Sequence, residues 1–321
     1  CELTGLDISN ASLYDGASAL AEACSLALSH TRNNKILISE SVNPIYVEVV
    51  KTYLKYRGAD IIILPALNGI TDFDKVKNLD LDDIACIAIQ SPNFYGYIED
   101  WSKYSNLLKE KKGLMIGISD PISMSILKSP SDCGIDIYAG EGQVLGNYLS
   151  YGGPNLGLFA ITDSLKRKLP GRVVGMTSDM NGKSGFVLTL QTREQHIRRS
   201  RATSNICTNQ GLMALRAVIY MSLLGKEGLP NLAKLCFQKA QYAAEQISKI
   251  KDFNLMFNRR DFVKEFTVET KFSANKIKKK AEEHGMLFDC IDDNLIKLSF
   301  TEKRTKNDID VLVQFLKTYN D

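Results

Sequence analysis

Apolar residues recur at helical spacing in ASALAEACSLALSHTR (17–32), and KILIS (35–39) follows as an uninterrupted apolar run of strand length. The alternation continues through a helical pattern from Pro44 to Tyr56, a strand in ADIIILPA (59–66) and another in DDIACIAIQ (82–90). A helical pattern around 98–110 separates that strand from GLMIGIS (113–119). Strands that stay apolar along their length, with helices between them, predict a parallel sheet covered on both faces. RVVGMTSD (172–179) and GFVLTLQT (185–192) read as a hairpin or a pair of edge strands. A long helical pattern is then predicted from Arg193 to Gly225, and GKEGLP (225–230) marks a boundary of glycine and proline. Beyond it the pattern predicts a helix (231–250), strands (253–257 and 264–269), a helix (273–284), a strand (295–300) and a helix (305–319). The expected organisation is a large α/β domain over 1–225 and a small α+β domain over 226–321, with no internal repeat.

The 321 residues, 44% hydrophobic and 24% charged, are enough for two such cores. A net charge of +3 gives no reason to expect nucleic acid or a membrane surface as partner. No apolar run reaches the roughly 18–20 residues a bilayer span requires. The seven cysteines (1, 24, 86, 133, 207, 236 and 290) form no C-x-x-C pair, which points to reduced thiols and a cytoplasmic protein. His30, His196 and His284 are too scattered for a zinc site, so no metal is expected. The opening CELTGLDISNA lacks an initiator methionine, which leads to the expectation that an N-terminal segment is missing.

Candidate chemistry is sparse. GKSG (182–185) lacks the glycine a phosphate loop needs, since Thr177 stands five positions before Gly182. GGPNLG (152–157) fails as a dinucleotide loop because Pro154 takes the place of its second glycine. DGAS (15–18) is either an ordinary helix start capped by Asp15 or an anion site made of helix-start amides and the Ser18 hydroxyl. In SDPIS (119–123), Asp120 follows a buried strand directly; residues there face the ligand crevice of an open parallel sheet, although Asp-Pro also forms turns. Arg193, Arg198, Arg199 and Arg201 crowd one segment, read as a solvated helix face or a contact for a partner. His196 is a weak candidate base, and no cysteine has a recognisable histidine partner. The stretch DIYAGEGQVLGNYLSYGGPNLG (136–157) passes from a strand through a Gly-rich turn to a glycine-proline loop, yet contains no lysine.

Four stretches together resemble one family: TGLDISNASLYDGASALAEA (4–23), DIYAGEGQVLGNYLSYGGPNLGLFA (136–160), LPGRVVGMTSD (169–179) and LTLQTREQHIRRSRATSNICTNQ (188–210). They are similar to glycine dehydrogenase, the P-protein of the glycine cleavage system, and more narrowly to subunit 1 of its two-subunit bacterial form. The resemblance implies a fold type I pyridoxal-phosphate transferase-like architecture, an αβα large domain followed by a small α+β domain. It implies that glycine is decarboxylated on pyridoxal phosphate and its aminomethyl group passed to the lipoyl arm of the H-protein.

The same resemblance implies positions. The cofactor phosphate would meet Gly16, Ala17 and Ser18, and the pyridine nitrogen would meet Asp120. The Schiff-base lysine would fall near Gln143, where an amide cannot form an imine; no lysine lies anywhere from 129 to 165. No catalytic residue is therefore expected in this chain, and its phosphate and pyridine sites would be remnants. Subunit 2 would supply the lysine and bind pyridoxal phosphate covalently, with the two chains forming a heteromer. The alternatives are a stand-alone pyridoxal-phosphate aminotransferase or decarboxylase using Lys128 or Lys183, and a catalytically dead binding protein on the same fold.

Overall fold

The computed structural model describes residues 1–206 and 210–319. The chain opens with β1 (Ile8–Ser9), α1 (Gly16–Thr31), β2 (Lys35–Ser39), α2 (Pro44–Leu54) and β3 (Asp60–Leu64). A small hairpin, β4 (Ala66–Leu67) with β5 (Ile70–Thr71), leads to α3 (Phe73–Lys77). Then come β6 (Ile84–Gln90), α4 (Trp101–Leu108), β7 (Leu114–Ile118), α5 (Pro121–Met124), β8 (Ile137–Glu141) and β9 (Gly157–Ile161). These build a sheet of order β1-β9-β8-β7-β6-β2-β3. Its centre, β8 through β3, is parallel, while at one edge β9 is reversed and pairs antiparallel with both β8 and β1.

Residue size decides how the helices lie on this sheet. On β6, Ala85, Cys86 and Ala88 face the core shared with α1, whereas Ile84, Ile87 and Ile89 face the other core. Helix α1 answers with Ala19, Ala21, Ala23, Cys24 and Ala27, all wholly buried. Small residues on both surfaces let the helix backbone approach the sheet closely, and α1 packs on β6, β8 and β9. The opposite face is filled by large side chains from α4, Trp101, Tyr104 and Leu108.

The hairpin β10 (Val173–Ser178) and β11 (Ser184–Thr189) pairs only with itself and leaves Met176, Phe186 and Leu188 exposed. After it the continuous helix expected from Arg193 does not form. A four-residue α6 (Gln195–Arg198) ends where Arg199 takes a positive φ of 53°, and a 3-10 turn follows over Arg199–Arg201. The cause is a lack of apolar side chains to bury: Arg198, Arg199 and Arg201 are exposed, and most of their neighbours are polar. Part of that expected helix, with Cys207, lies outside the described residues.

Helix α7 (Gly211–Ile247) runs through GKEGLP, which was expected as a boundary, but it breaks at Gly225 with φ 64° and ψ −167°. That positive φ is open to glycine and strained for other residues, so two helical segments meet at one residue. A domain boundary at 225/226 remains a proposal. The second segment joins β12 (Phe253–Leu255), β13 (Glu265–Thr270), α8 (Ala274–Glu283), β14 (Asp289–Cys290), β15 (Leu295–Ser299) and α9 (Lys306–Thr318). The strands form an antiparallel sheet of order β12-β13-β15-β14 over a core of its own. The strand expected over 253–257 stops at Leu255, because Phe257 and Asn258 adopt left-handed backbone.

Glu22 is the one carboxylate among the small residues of α1, and it is 5% exposed. Burial pushes its carboxyl up to about 7, against the Ser204 hydroxyl and the Arg57 guanidinium, which favour the charge. The folded value exceeds the ordinary 4.5 of the unfolded chain, so folding prefers the protonated form. Stability is complete below the unfolded value, falls as pH rises from there to about 7, and is level above. The loss amounts to at most about 3 kcal/mol. Glu22→Gln abolishes this slope; urea midpoints at pH 5 and pH 8 are expected to converge in the variant and to differ in the wild type.

Candidate functional site

Four parallel strands each deliver a polar group to one crevice at their carboxyl ends: Asn43 after β2, Gln90 at the end of β6, Asp120 after β7 and Glu141 at the end of β8. The position follows from the sheet order. β3 lies on one side of β2 and β6 on the other, and such a reversal opens a gap beyond the strand ends. Gln90 Oε1 accepts the Asn43 N–H at 2.9 Å, which ties the two strand ends together.

Asp120 accepts from the backbone N–H and the hydroxyl of Ser123 at 2.8 and 2.7 Å, capping α5. Its other oxygen accepts from Lys264 Nζ at 2.7 Å. Lys264 precedes β13 in the second core and is only 8% exposed. Burial alone would lower its ammonium, but the carboxylates of Asp120 and Glu265 overrule that and hold it above its ordinary value. The amine is therefore protonated, a charge partner and no nucleophile. Glu265 in turn meets Lys297 at 3.1 Å.

Lys264 reaches the crevice because the loop before α4 abuts β13. At Gly96, φ is 100°, and a Cβ there would collide with the backbone carbonyl of Glu265. Ile98 N–H donates to Asp261 O at 2.9 Å and Thr267 Oγ1 to Tyr95 O at 2.9 Å. The loop is held from beneath by Glu99, whose buried carboxylate accepts from Ser41, Asn93 and both the N–H and hydroxyl of Thr71. Neutral donors meet it on all sides, and a rigid platform results.

The start of α1 has a different occupant. Asp15 caps it in a reciprocal pair with Ser18, accepting the Ser18 N–H at 2.7 Å. Gly16 N–H donates to Glu141 Oε2 at 2.9 Å, and Glu141 Oε1 accepts from Gln143 and Leu156 N–H at 2.9 and 3.2 Å. Burial raises the Glu141 carboxyl, while those three amides pull it back. Tyr46 lies beside it: a Cβ on Gly16 would strike the Tyr46 hydroxyl and come within 3.0 Å of Glu141 Cβ. The Tyr46 phenol is pushed up by burial first and by Glu141 next.

The residues singled out in the sequence are thus distributed unevenly. Asp120 lines the crevice with Glu141 and Tyr46, in a cavity of about 230 Å³. The amides of Gly16 and Ser18 both donate to side chains of the protein, and Ala17 is buried. Gln143 lines a separate cavity of about 620 Å³ beside α7, and from this turn Val144 borders both. Lys128 and Lys183 are exposed and line neither. His196 is exposed, 3.7 Å from Glu194. Arg193 donates to Leu169 O and is half-buried, whereas Arg198, Arg199 and Arg201 are exposed. Among the described residues no group of His, Cys, Asp and Glu could hold a metal ion, and no helix is long and apolar enough to cross a membrane. Sequence reasoning missed Lys264, 144 positions from Asp120 and without any local signature. It also missed Glu141, although the acid in AGEGQ stands between the glycines of the turn.

The chain matches the family described as "Glycine cleavage system P-protein" over residues 1–316. It is 45% identical to "Probable glycine dehydrogenase (decarboxylating) subunit 1" of Chlorobium phaeobacteroides, over 98% of this chain and 72% of that protein. To the protein of the same description in Moorella thermoacetica it is 43% identical, over 99% of this chain and 73% of the other. Among solved structures, the inhibitor-bound crystal structure of glycine decarboxylase (P-protein) of the glycine cleavage system superposes with a TM-score of 0.92 at 35% identity. That match covers 98% of this chain and 72% of the other. A sphingosine-1-phosphate lyase from Burkholderia pseudomallei, at TM-score 0.70 and 16% identity, covers 95% of this chain and 68% of the other and shares the fold alone.

Removing one partner of the Asp120–Lys264 pair leaves a charge in a largely buried place. Lys264→Met is expected to cost about 2–4 kcal/mol in urea denaturation, and Asp120→Asn/Lys264→Met to cost less than the two single changes summed. Because the folded ammonium value is raised, the pair's contribution is complete below the ordinary lysine value near 10.5 and lost as pH rises through the folded one.

Proposed function

We propose that this chain, which belongs to the glycine cleavage system P-protein family, is the half of a glycine-decarboxylating enzyme without the Schiff-base lysine and works as a subunit paired with one that bears it. The family's fold is the fold type I architecture of pyridoxal-phosphate enzymes, and the enzyme is an oxidoreductase that decarboxylates glycine. When bound, pyridoxal phosphate supplies the electron sink for that decarboxylation.

The residues of this chain do not fit that group. The carboxylate expected to meet a pyridinium is already neutralised by Lys264, and an amide at the helix start expected to meet a phosphate already serves Glu141. No lysine stands in the turn from 136 to 157. The single observation carrying the reading is the Asp120–Lys264 pair, which holds a buried lysine of the crevice charged and engaged. We therefore assign covalent cofactor binding to subunit 2, and to this chain the work of walling and orienting a shared site. Transfer to the lipoyl arm of an H-protein, and a cytoplasmic setting, belong to the same proposal.

A second feature supports the need for a partner. On the first segment of α7, Met213 and Ala217 are buried while Leu212, Leu215, Val218, Ile219 and Leu223 are exposed. They recur at helical spacing, and exposed Tyr148, Leu149 and Tyr151 stand in the turn that packs near this segment. An apolar stripe of that length on a surface marks a protein interface.

Purified alone, the chain is expected to show no visible cofactor band that borohydride fixes to one of its peptides. A fixed band on a Lys264 peptide would overturn the reading in favour of a stand-alone enzyme. Co-expressed with a lysine-bearing subunit, it is expected to restore glycine decarboxylation in the presence of lipoylated H-protein. Leu215→Asp, which puts a charge in the apolar stripe without touching a core residue, is expected to lower co-purification with that subunit by about tenfold or more while the circular dichroism spectrum stays unchanged.

A further inference from the structure

The ion set of the crevice goes beyond a missing lysine. Glu141 receives three backbone N–H groups, from Gly16, Gln143 and Leu156, the arrangement by which a helix start and an adjoining turn hold an anion. The anion is a side chain of the protein. At the other end, Asp120 accepts twice from Ser123 at one oxygen and from the ammonium of Lys264 at the other. The cation is again the protein's own. Between them Tyr46 closes on Gly16, and about 230 Å³ is left beside the two ions, bordered through Val144 and Lys264 by the cavity of about 620 Å³ along α7.

We infer that this crevice is closed to phosphate-bearing ligands, including non-covalently bound cofactor, because Glu141 and Lys264 stand in place of the ligand's anion and cation. The inference rests on the reading that the cofactor belongs to the other subunit, and it adds a reason why none is adsorbed here. A phosphate approaching the start of α1 would meet the Glu141 carboxylate, with the Gly16 and Ser18 amides already engaged. The cations on the same wall are matched as well: Lys264 by Asp120, and Lys297 by Glu265. A pyridinium approaching Asp120 would have to displace a buried ammonium from its hydrogen-bonded carboxylate, leaving only Glu265, already matched by Lys297, to balance it.

Pyridoxamine 5′-phosphate tests this directly, since it has no aldehyde and cannot label surface lysines. Equilibrium dialysis with the full-length chain, alone and paired with a lysine-bearing subunit whose cofactor borohydride has fixed, is expected to give no saturable site on the wild type. Inorganic phosphate is expected to behave likewise. In Glu141→Ala/Lys264→Met the vacated amides and the freed Asp120 are expected to bind pyridoxamine phosphate at least about tenfold more tightly, with a ligand-dependent rise in Tm absent from the wild type. Glu141→Gln keeps an acceptor for the Gln143 and Leu156 amides and so is expected to fold as the wild type does, while freeing the Gly16 N–H, removing the negative charge and giving measurable phosphate binding. Saturable binding of pyridoxamine phosphate to the wild-type chain overturns the inference, as does Glu141→Gln that folds yet binds no better. Neither result bears on subunit pairing, which the co-purification assay reads separately.

Discussion

A buried ammonium must have a counter-ion, and from that constraint much of this molecule's layout follows. Lys264 precedes a strand of the second core, yet the carboxylate that accepts its hydrogen bond, Asp120, sits at the carboxyl end of a strand in the first. The two cores must therefore dock with the antiparallel sheet over the crevice, and the loop before α4 must be shaped to receive it. Gly96 permits that approach, and the Glu99 hydrogen bonds stiffen the loop from below. Docking and crevice chemistry are thus one arrangement: the contact that orders the cores is the contact that occupies the acid.

The balance of charges has a second half at the start of α1. There a carboxylate is buried by three amides and no cation, an arrangement that suits an anion the fold keeps permanently. The two substitutions, a side-chain anion at a helix start and a side-chain cation at a strand end, are complementary. Each would be incomplete alone, because a ligand carrying both charges could still be held by whichever end stayed open.

How much of this was legible beforehand depends on whether the signal is local. KILIS, DDIACIAIQ and GLMIGIS are apolar throughout because both sheet faces are covered, and they read directly as β2, β6 and β7. Asp120 was legible through its place one residue past a buried strand end. β9 was not singled out, since GLFAI follows the glycine-proline loop without a break. The helix expected from Arg193 failed because residues 198–205 offer no apolar face, and helical periodicity in such a polar stretch carries little weight. Lys264 was illegible: its role is defined by a partner 144 residues away, and no pattern around KEFTVE announces it. Glu141 stood in plain view inside AGEGQ but was passed over in the search for a lysine.

Gly96 also bears on how much of the chain the crevice draws together. The loop around it is anchored by Ser41 and Thr71, beside β2 and at the end of β5. The contacts it makes join residues far apart, as with the Tyr97 hydroxyl and the Met256 carbonyl, 159 positions distant. Closing a loop of that length costs chain entropy that local contacts do not. The internal cation of the crevice therefore rests on some of the farthest-reaching contacts of the chain, and a residue with no side chain of its own lets them form.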